Sequence, residues 1–113
     1  MISKKFRFHS RGGVRHTYQN GKTIRGSRLS LVFAENSRNH QRYAVVVSKK
    51  VLKSAVGRNR IRRRMYEAIR AELPKIERPV DCIFIVYNKD LLDLDFKELR
   101  RLIHNLLQEA NII

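Results

Sequence analysis

The chain has 113 residues with 42% apolar content, which predicts one domain spanning 1–113 with a modest core. Its apolar residues recur in periodic runs, against global disorder. No run reaches the roughly 20 apolar residues of a membrane span, and a single cysteine, Cys82, rules out an internal disulfide. The formal charge of +15 exceeds what solubility needs and points to an anionic partner: nucleic acid, a membrane surface or another acidic surface.

That charge is uneven. Residues 1–64 carry 18 Lys/Arg and one acid, Glu35, whereas residues 65–113 carry 7 Lys/Arg and 9 acids. The N-terminal part therefore supplies the electrostatic footprint, and the C-terminal part reads as an ordinary amphipathic shell. No apolar stretch follows the basic N-terminus, so no signal peptide is expected and the cytoplasm is the expected location, without a membrane partner.

In chain order, residues 1–13 are basic and irregular. A short helix is predicted from about Gly13 to Gln19, ended by the turn-forming Asn20-Gly21. A short strand fits Thr23–Arg25. Leu29–Ala34 alternates as a strand, with Leu29, Leu31 and Phe33 toward the core. A polar loop over Glu35–Gln41 leads into a Val-rich strand, Tyr43–Ser48. Residues 57–73 read as a helix with Ile61, Met65, Ala68 and Ile69 on one stripe. Pro74 and Pro79 punctuate its exit. Cys82–Tyr87 is a continuous apolar run of strand length, with Cys82 as a buried small hydrophobe. Asp95 and Glu98 form a D-x-x-E capping pattern before a last helix, whose face is Phe96, Leu99, Leu102, Ile103, Leu106, Leu107 and Ala110.

The segment Lys53–Glu67 concentrates the chemistry, with five arginines in the seven positions 58–64. On a wheel of about 100° per residue, Asn59, Arg60, Arg63, Glu67 and Arg70 lie opposite Ile61 and Met65. One face packs and the other presents guanidinium groups, whose planar forks grip phosphate oxygens bidentately. Asn59 adds a donor and an acceptor. The helix start itself favours anions, and Lys49, Lys50 and Lys53 lie just before it. A solvated charged face is the bland alternative. No acid precedes Glu67 in this stretch, and like charges at helical spacing repel, so an anionic partner is the better reading. Arg58 and Arg62 fall close to the apolar stripe by angle. Either their stems snorkel outward or the first turn lies beyond the core.

At these residues the chain resembles the ribonuclease P protein family, whose signature is Ala-Val-x-Arg-Asn-Arg-x-(Lys/Arg)-Arg after a Val-Ser-Lys-Lys strand end. This chain reads Val47-Ser48-Lys49-Lys50, then Ala55-Val56-Gly57-Arg58-Asn59-Arg60-Ile61-Arg62-Arg63. Asn20-Gly21-Lys22, Arg42, Glu67-Ala68 and Asp81 also fit. The resemblance implies an α/β (α+β sandwich) fold of order α-β-β-β-α-β-α, with a mixed four-stranded sheet and a left-handed βαβ crossover, against the usual right-handed preference.

It also implies partners, the ribonuclease P RNA and precursor tRNA, with one protein per RNA. The RNA would cleave the 5′ leader using Mg²⁺, with no cofactor or metal on the protein and no protein catalytic residue. Lys49, Lys50, Lys53, Arg58, Asn59, Arg60, Arg62 and Arg63 would bind the RNA subunit. The leader would lie on the sheet face opposite the core, near Val32, Ala44, Val46 and Ser48. Phe8, Val14 and Tyr18 would be at its edge, where aromatic groups can stack bases. The chain departs from the family at Val14 and Val32, commonly aromatic, and at Tyr87, commonly Arg. Leader binding would then be weaker, or its contacts would shift to Phe8, Tyr18 and Phe33.

Two other readings compete. A protein-only nuclease needs metal-holding acids or a His base. Asp90, Asp93 and Asp95 form only a loose cluster, and His9, His16, His40 and His104 lack ligand spacing. A ribosomal protein or RNA chaperone would be similarly basic.

Overall fold

The computed structural model describes residues 6–8 and 11–113, and the side chains of 11–13 are not part of that description. His9 and most of the irregular basic N-terminus lie outside the described residues. The elements run α1 (Arg11–Asn20), β1 (Lys22–Ile24), β2 (Leu29–Glu35), β3 (Arg42–Val47), α2 (Ala55–Glu72), β4 (Val80–Val86) and α3 (Phe96–Glu109). Short 3-10 turns follow α2 at Leu73–Lys75 and precede α3 at Lys89–Leu92.

The sheet order is β1-β2-β4-β3. β4 pairs antiparallel with β2 and parallel with β3. The last strand in sequence is therefore a central one, buried along nearly its whole length. That explains why it reads as a continuous apolar run rather than an alternating one. The parallel β3–β4 pair requires a crossover, and α2 is that crossover.

Register fixes two faces. Leu31, Phe84 and Val45 form one cross-strand row, and Phe33, Cys82 and Tyr43 the next. These belong to the main core with Ile61, Met65, Ala68 and Ile69 of α2 and Leu99, Ile103, Leu106 and Leu107 of α3. On the opposite face Val32, Ile83 and Ala44 align and join Phe8 in a smaller cluster, with Val14 and Ile85 against it. Helix α1 lies over β2 and β4 on this second face. The N-terminal segment lies along the free edge of β3 through Arg7 and Tyr43, with Phe8 N donating to Tyr43 O at 3.0 Å. This occupies part of an otherwise open edge.

Helix ends follow local chemistry. Ser54 Oγ accepts from Gly57 N at 3.0 Å, so α2 begins at Ala55, ahead of the 57 expected from its apolar stripe. Asp95 caps α3 by accepting from Lys97 N at 2.8 Å, while Glu98 pairs with Arg101 at 3.2 Å. Asn111, at φ 59°, ends α3. Ile112 N donates to Leu107 O and Asn111 N to Gln108 O, the paired bonds of a Schellman motif. Asn tolerates the left-handed conformation better than most residues.

Gly21 is required by close approach. A Cβ there would lie 2.4 Å from Thr17 O and 2.6 Å from Phe33 O, both backbone atoms. Gly21→Ala should therefore loosen α1 from β2 and lower stability by roughly 1–3 kcal/mol, the usual range for overpacking. Urea unfolding measures this, and an unchanged midpoint would show that the contact yields freely.

The α2 stripe ends on a charge. Glu72 is 2% exposed, and its Oε2 meets His104 Nδ1 at 3.0 Å and Lys75 Nζ at 3.2 Å. Burial pushes this carboxyl up, but hydrogen bonds and positive charge from His104 and Lys75 outweigh it, leaving the group below its ordinary 4.5. A depressed folded value means the stabilisation is whole above about 4.5 and is lost as pH falls through the folded value. Thermal midpoints measured from pH 6 downward should fall through this window, and less steeply in Glu72→Gln. Equal slopes would mean that Glu72 is not the coupled group.

Candidate nucleic-acid interface

The second sheet face is asymmetric. Because α1 covers β2 and β4, the β3 side stays more open, and exposure rises along the strand. Ala44 is 7% exposed and Val46 36%, and Ser48 just beyond the strand is exposed. Val32 and Phe8 are buried at 4% each, and Val14 of α1 is half-buried against them. Phe8, Val32 and Ala44 thus form the packed floor, while Val46 and Ser48 offer surface.

Phe33 belongs to the main core on the other face, which corrects the expectation that it could stack a leader base. The alternation that put Leu29 and Leu31 inward carries Phe33 with them. The Phe8 ring is covered on one side by Arg42, whose guanidinium carbon lies 4.8 Å from the ring centre. Arg42 is fixed by Asp81, donating from Nε to Oδ1 at 2.8 Å and from Nη2 to Oδ2 at 2.7 Å. Asn36 Nδ2 also donates to Asp81 Oδ1 at 2.8 Å. Register places Arg42 opposite Asp81, and this bidentate pair closes one end of the face.

At the other end stand two aromatic residues. Tyr18 on α1 is 45% exposed, and Tyr87, next after β4, is 46% exposed. Alternation along Ile83, Ile85 and Tyr87 points Tyr87 to the α1 side. Tyr87 N donates to Arg28 O at 2.8 Å, which holds the backbone in place. Partial burial pushes the Tyr18 phenol up, and the nearby Tyr87 pushes it further. Tyr87 is therefore an additional rim residue. The same alternation rule would have found it had its run been treated as two-faced.

Beyond Ser48 the chain turns, with Val51 N and Leu52 N both donating to Ser48 O. Lys49, Lys50 and Lys53 are exposed on this turn, which delivers the chain to the α2 N-terminus. The arginines there divide. Arg58 Nη1 donates to Leu52 O at 2.9 Å and Lys53 O at 2.7 Å, clasping the turn to the helix. Arg62 Nη1 donates to Asn59 Oδ1 at 2.7 Å. Arg64 reaches the carbonyls of Leu91 and Leu94, tying α2 to the loop before α3. Arg60 and Arg63 are exposed, without a side-chain hydrogen bond or ion pair among the described residues. The first turn of α2 lies beyond the core, with Val56 69% exposed and burial starting at Ile61; Arg58 sits in that turn, and both it and Arg62 spend donors on local acceptors.

Several groups considered for catalysis have structural partners. His104 meets Glu72, His16 meets Asn20, and Asp95 caps α3. Cys82 is fully buried, and burial pushes its thiol well up.

A family profile described as Ribonuclease P matches residues 2–111. A ribonuclease P protein component from Roseiflexus castenholzii is 33% identical over 112 residues, covering 99% of this chain and 91% of that protein. One from Clostridium botulinum is 39% identical over 99 residues, covering 87% of each. Among solved structures, a Staphylococcus aureus RNase P protein mutant with defective mRNA degradation activity superimposes with a TM-score of 0.85 at 22% identity, covering 97% of this chain and 92% of that one. The RNase P protein from Thermotoga maritima gives 0.81 at 24% identity, covering 91% and 96%. These two share the three-helix, mixed-sheet fold, and the profile and the relatives carry the assignment: the chain belongs to the ribonuclease P protein family.

Proposed function

We propose that this protein binds the RNA subunit of ribonuclease P through the α2 N-terminus and holds the 5′ leader of precursor tRNA on the open sheet face. The observation that carries this reading is continuity. The exposed end of β3, at Val46 and Ser48, runs directly into the Lys49–Lys53 turn and then into Arg60 and Arg63. A polyanion leaving the arginine face meets a small-residue surface able to accept a single strand, with Tyr18 and Tyr87 at its rim.

The division among the arginines supports this. Arg58 and Arg64 spend donors on backbone carbonyls, which holds the helix and its flanking loops rigid. Arg60 and Arg63 remain exposed for phosphate, and Asn59 and Arg62 brace each other beside them. In this reading the RNA carries out cleavage with its own Mg²⁺, and the complex works in the cytoplasm with one protein per RNA. The protein contributes charge neutralisation and leader placement. Tyr87 changes the leader contact expected from the family: a phenol ring stacks a base where a guanidinium would grip a phosphate.

Reconstitution tests the whole. Adding the ribonuclease P RNA should yield leader removal at low Mg²⁺, where the RNA alone is slow. No stimulation would favour a ribosomal or chaperone role, and turnover by the protein alone would overturn RNA catalysis.

Arg60→Ala and Arg63→Ala should each lower the slope of log affinity against log salt for the RNA subunit by roughly 0.7–0.9, one phosphate each. Unchanged slopes would make these arginines a solvated face. Tyr18→Ala and Tyr87→Ala should each weaken holoenzyme binding of leader-bearing tRNA by roughly 1–3 kcal/mol, the range for one base–aromatic stack. Binding of leaderless tRNA should not change. Equal losses on both RNAs would place the tyrosines outside the leader site.

A further inference from the structure

The C-terminal part of the chain holds more acids than bases, yet the fold separates them. Glu72 and Asp81 are buried, and Asp95 is spent on the α3 cap. Lys97, Arg100, Arg101 and His104 recur at the i, i+3, i+4, i+7 spacing, so they share an arc of about 100° on α3. With Lys75 they line one shallow depression whose floor is Glu72.

This stripe is costly as a bare solvated face. Like charges three and four residues apart destabilise a helix by roughly 0.2–0.5 kcal/mol per pair. Lys97 also sits in the first turn of α3, where the helix dipole disfavours a cation. Internal partners offset only part of the charge: Arg101 pairs with Glu98 at 3.2 Å, and Lys75 and His104 share Glu72. Lys97 and Arg100 are exposed, with no ion pair among the described residues.

The stripe is separate from the arginine face. Eleven residues of α2 lie between Arg60 and Glu72, twelve helical steps or an axial distance of about 18 Å. That is about twice the roughly 8 Å screening length at physiological salt. The two cationic surfaces therefore act independently. Among the described residues no aromatic lines the depression, so it offers charge without a stacking platform there, and such contacts read a sugar–phosphate backbone rather than bases.

We propose that Lys97, Arg100 and Arg101, with Lys75 beside them, form a second RNA-backbone contact at the opposite end of α2 from the arginine face. The inference rests on the reading that this protein works bound to RNA. We assign that backbone to the RNA subunit, because α3 packs on the core side of the sheet, away from the Val32–Ala44 face where the leader is placed; precursor tRNA as the occupant is an outcome of the test. In Lys97→Gln/Arg100→Gln/Arg101→Gln, the salt slope is measured for RNA-subunit binding and for holoenzyme binding of precursor tRNA. The slope for the RNA subunit should fall by about 2–3, given roughly 0.7–0.9 per phosphate; a fall for precursor tRNA alone would overturn the assignment to the RNA subunit. The charge-preserving Arg100→Lys/Arg101→Lys should keep the wild-type slope. Both slopes unchanged in the glutamine variant, with a wild-type unfolding curve, would overturn the proposal and leave a solvated face or an acidic protein as the occupant. If slopes change only in the Arg60 and Arg63 variants, this inference alone fails. If the RNA subunit does not bind the unaltered chain, the underlying reading fails with it.

Discussion

The structure depends on burying β4 on both faces between β2 and β3. Once the last strand of the chain is central, its parallel neighbour β3 must be joined to it by a crossover. The helix that makes that crossover starts where β3 ends. The arginine segment is thereby set at the exit of the strand whose outer face is the more open. Function in this protein is a matter of adjacency, and the adjacency comes from where one apolar strand finds enough cover. The cross-strand rows Leu31–Phe84–Val45 and Phe33–Cys82–Tyr43 hold that strand on the helix side, and Val32–Ile83–Ala44 holds it on the other.

The two faces are covered unequally, and the inequality makes a surface. Two amphipathic helices seal the core side with large side chains. On the other side the ten-residue α1 lies mainly over β2 and β4. Small residues at Ala44 and Ser48 leave room along β3, and the Arg42–Asp81 pair bounds it. That pair is largely buried, with side chains 14% and 5% exposed. Its worth is more geometric than energetic, because desolvation offsets most of the Coulomb attraction of a buried pair. It fixes Arg42 over Phe8 and so sets the shape of the floor.

Charge is handled by separation. Five consecutive-turn arginines would repel if all were left in water. Here two of them saturate backbone carbonyls, one braces an asparagine, and two remain exposed. Some of the C-terminal acids are similarly spent, Glu72 and Asp81 in buried pairs and Asp95 on a cap, and a cationic stripe stands on α3 within a region whose summed charge is negative. Net charge by segment therefore misstates the local field, because burial and pairing remove some charges from the surface and not others.

The sequence alone determined the elements and the arginine motif. Apolar periodicity is local, so the α2 stripe, the β2 alternation and the α3 face were legible, except that Phe96 at the start of α3 is exposed rather than in the core. The α3 cap was too, although Asp95 bonds to Lys97 N rather than forming the full reciprocal box. Ser54 was a readable cap that the apolar stripe alone passed over. Tertiary structure decided the rest. Strand order, the one-sided cover by α1 and the exposure of Tyr87 all depend on which distant segments pack together. Glu72 falls on the apolar stripe by angle, and only its meeting with His104 and Lys75 explains it. The targets of Arg58 and Arg64 are loop carbonyls, invisible until the loops are placed. A side chain's direction is set by its own backbone, but what it meets is set by the chain's long-range contacts.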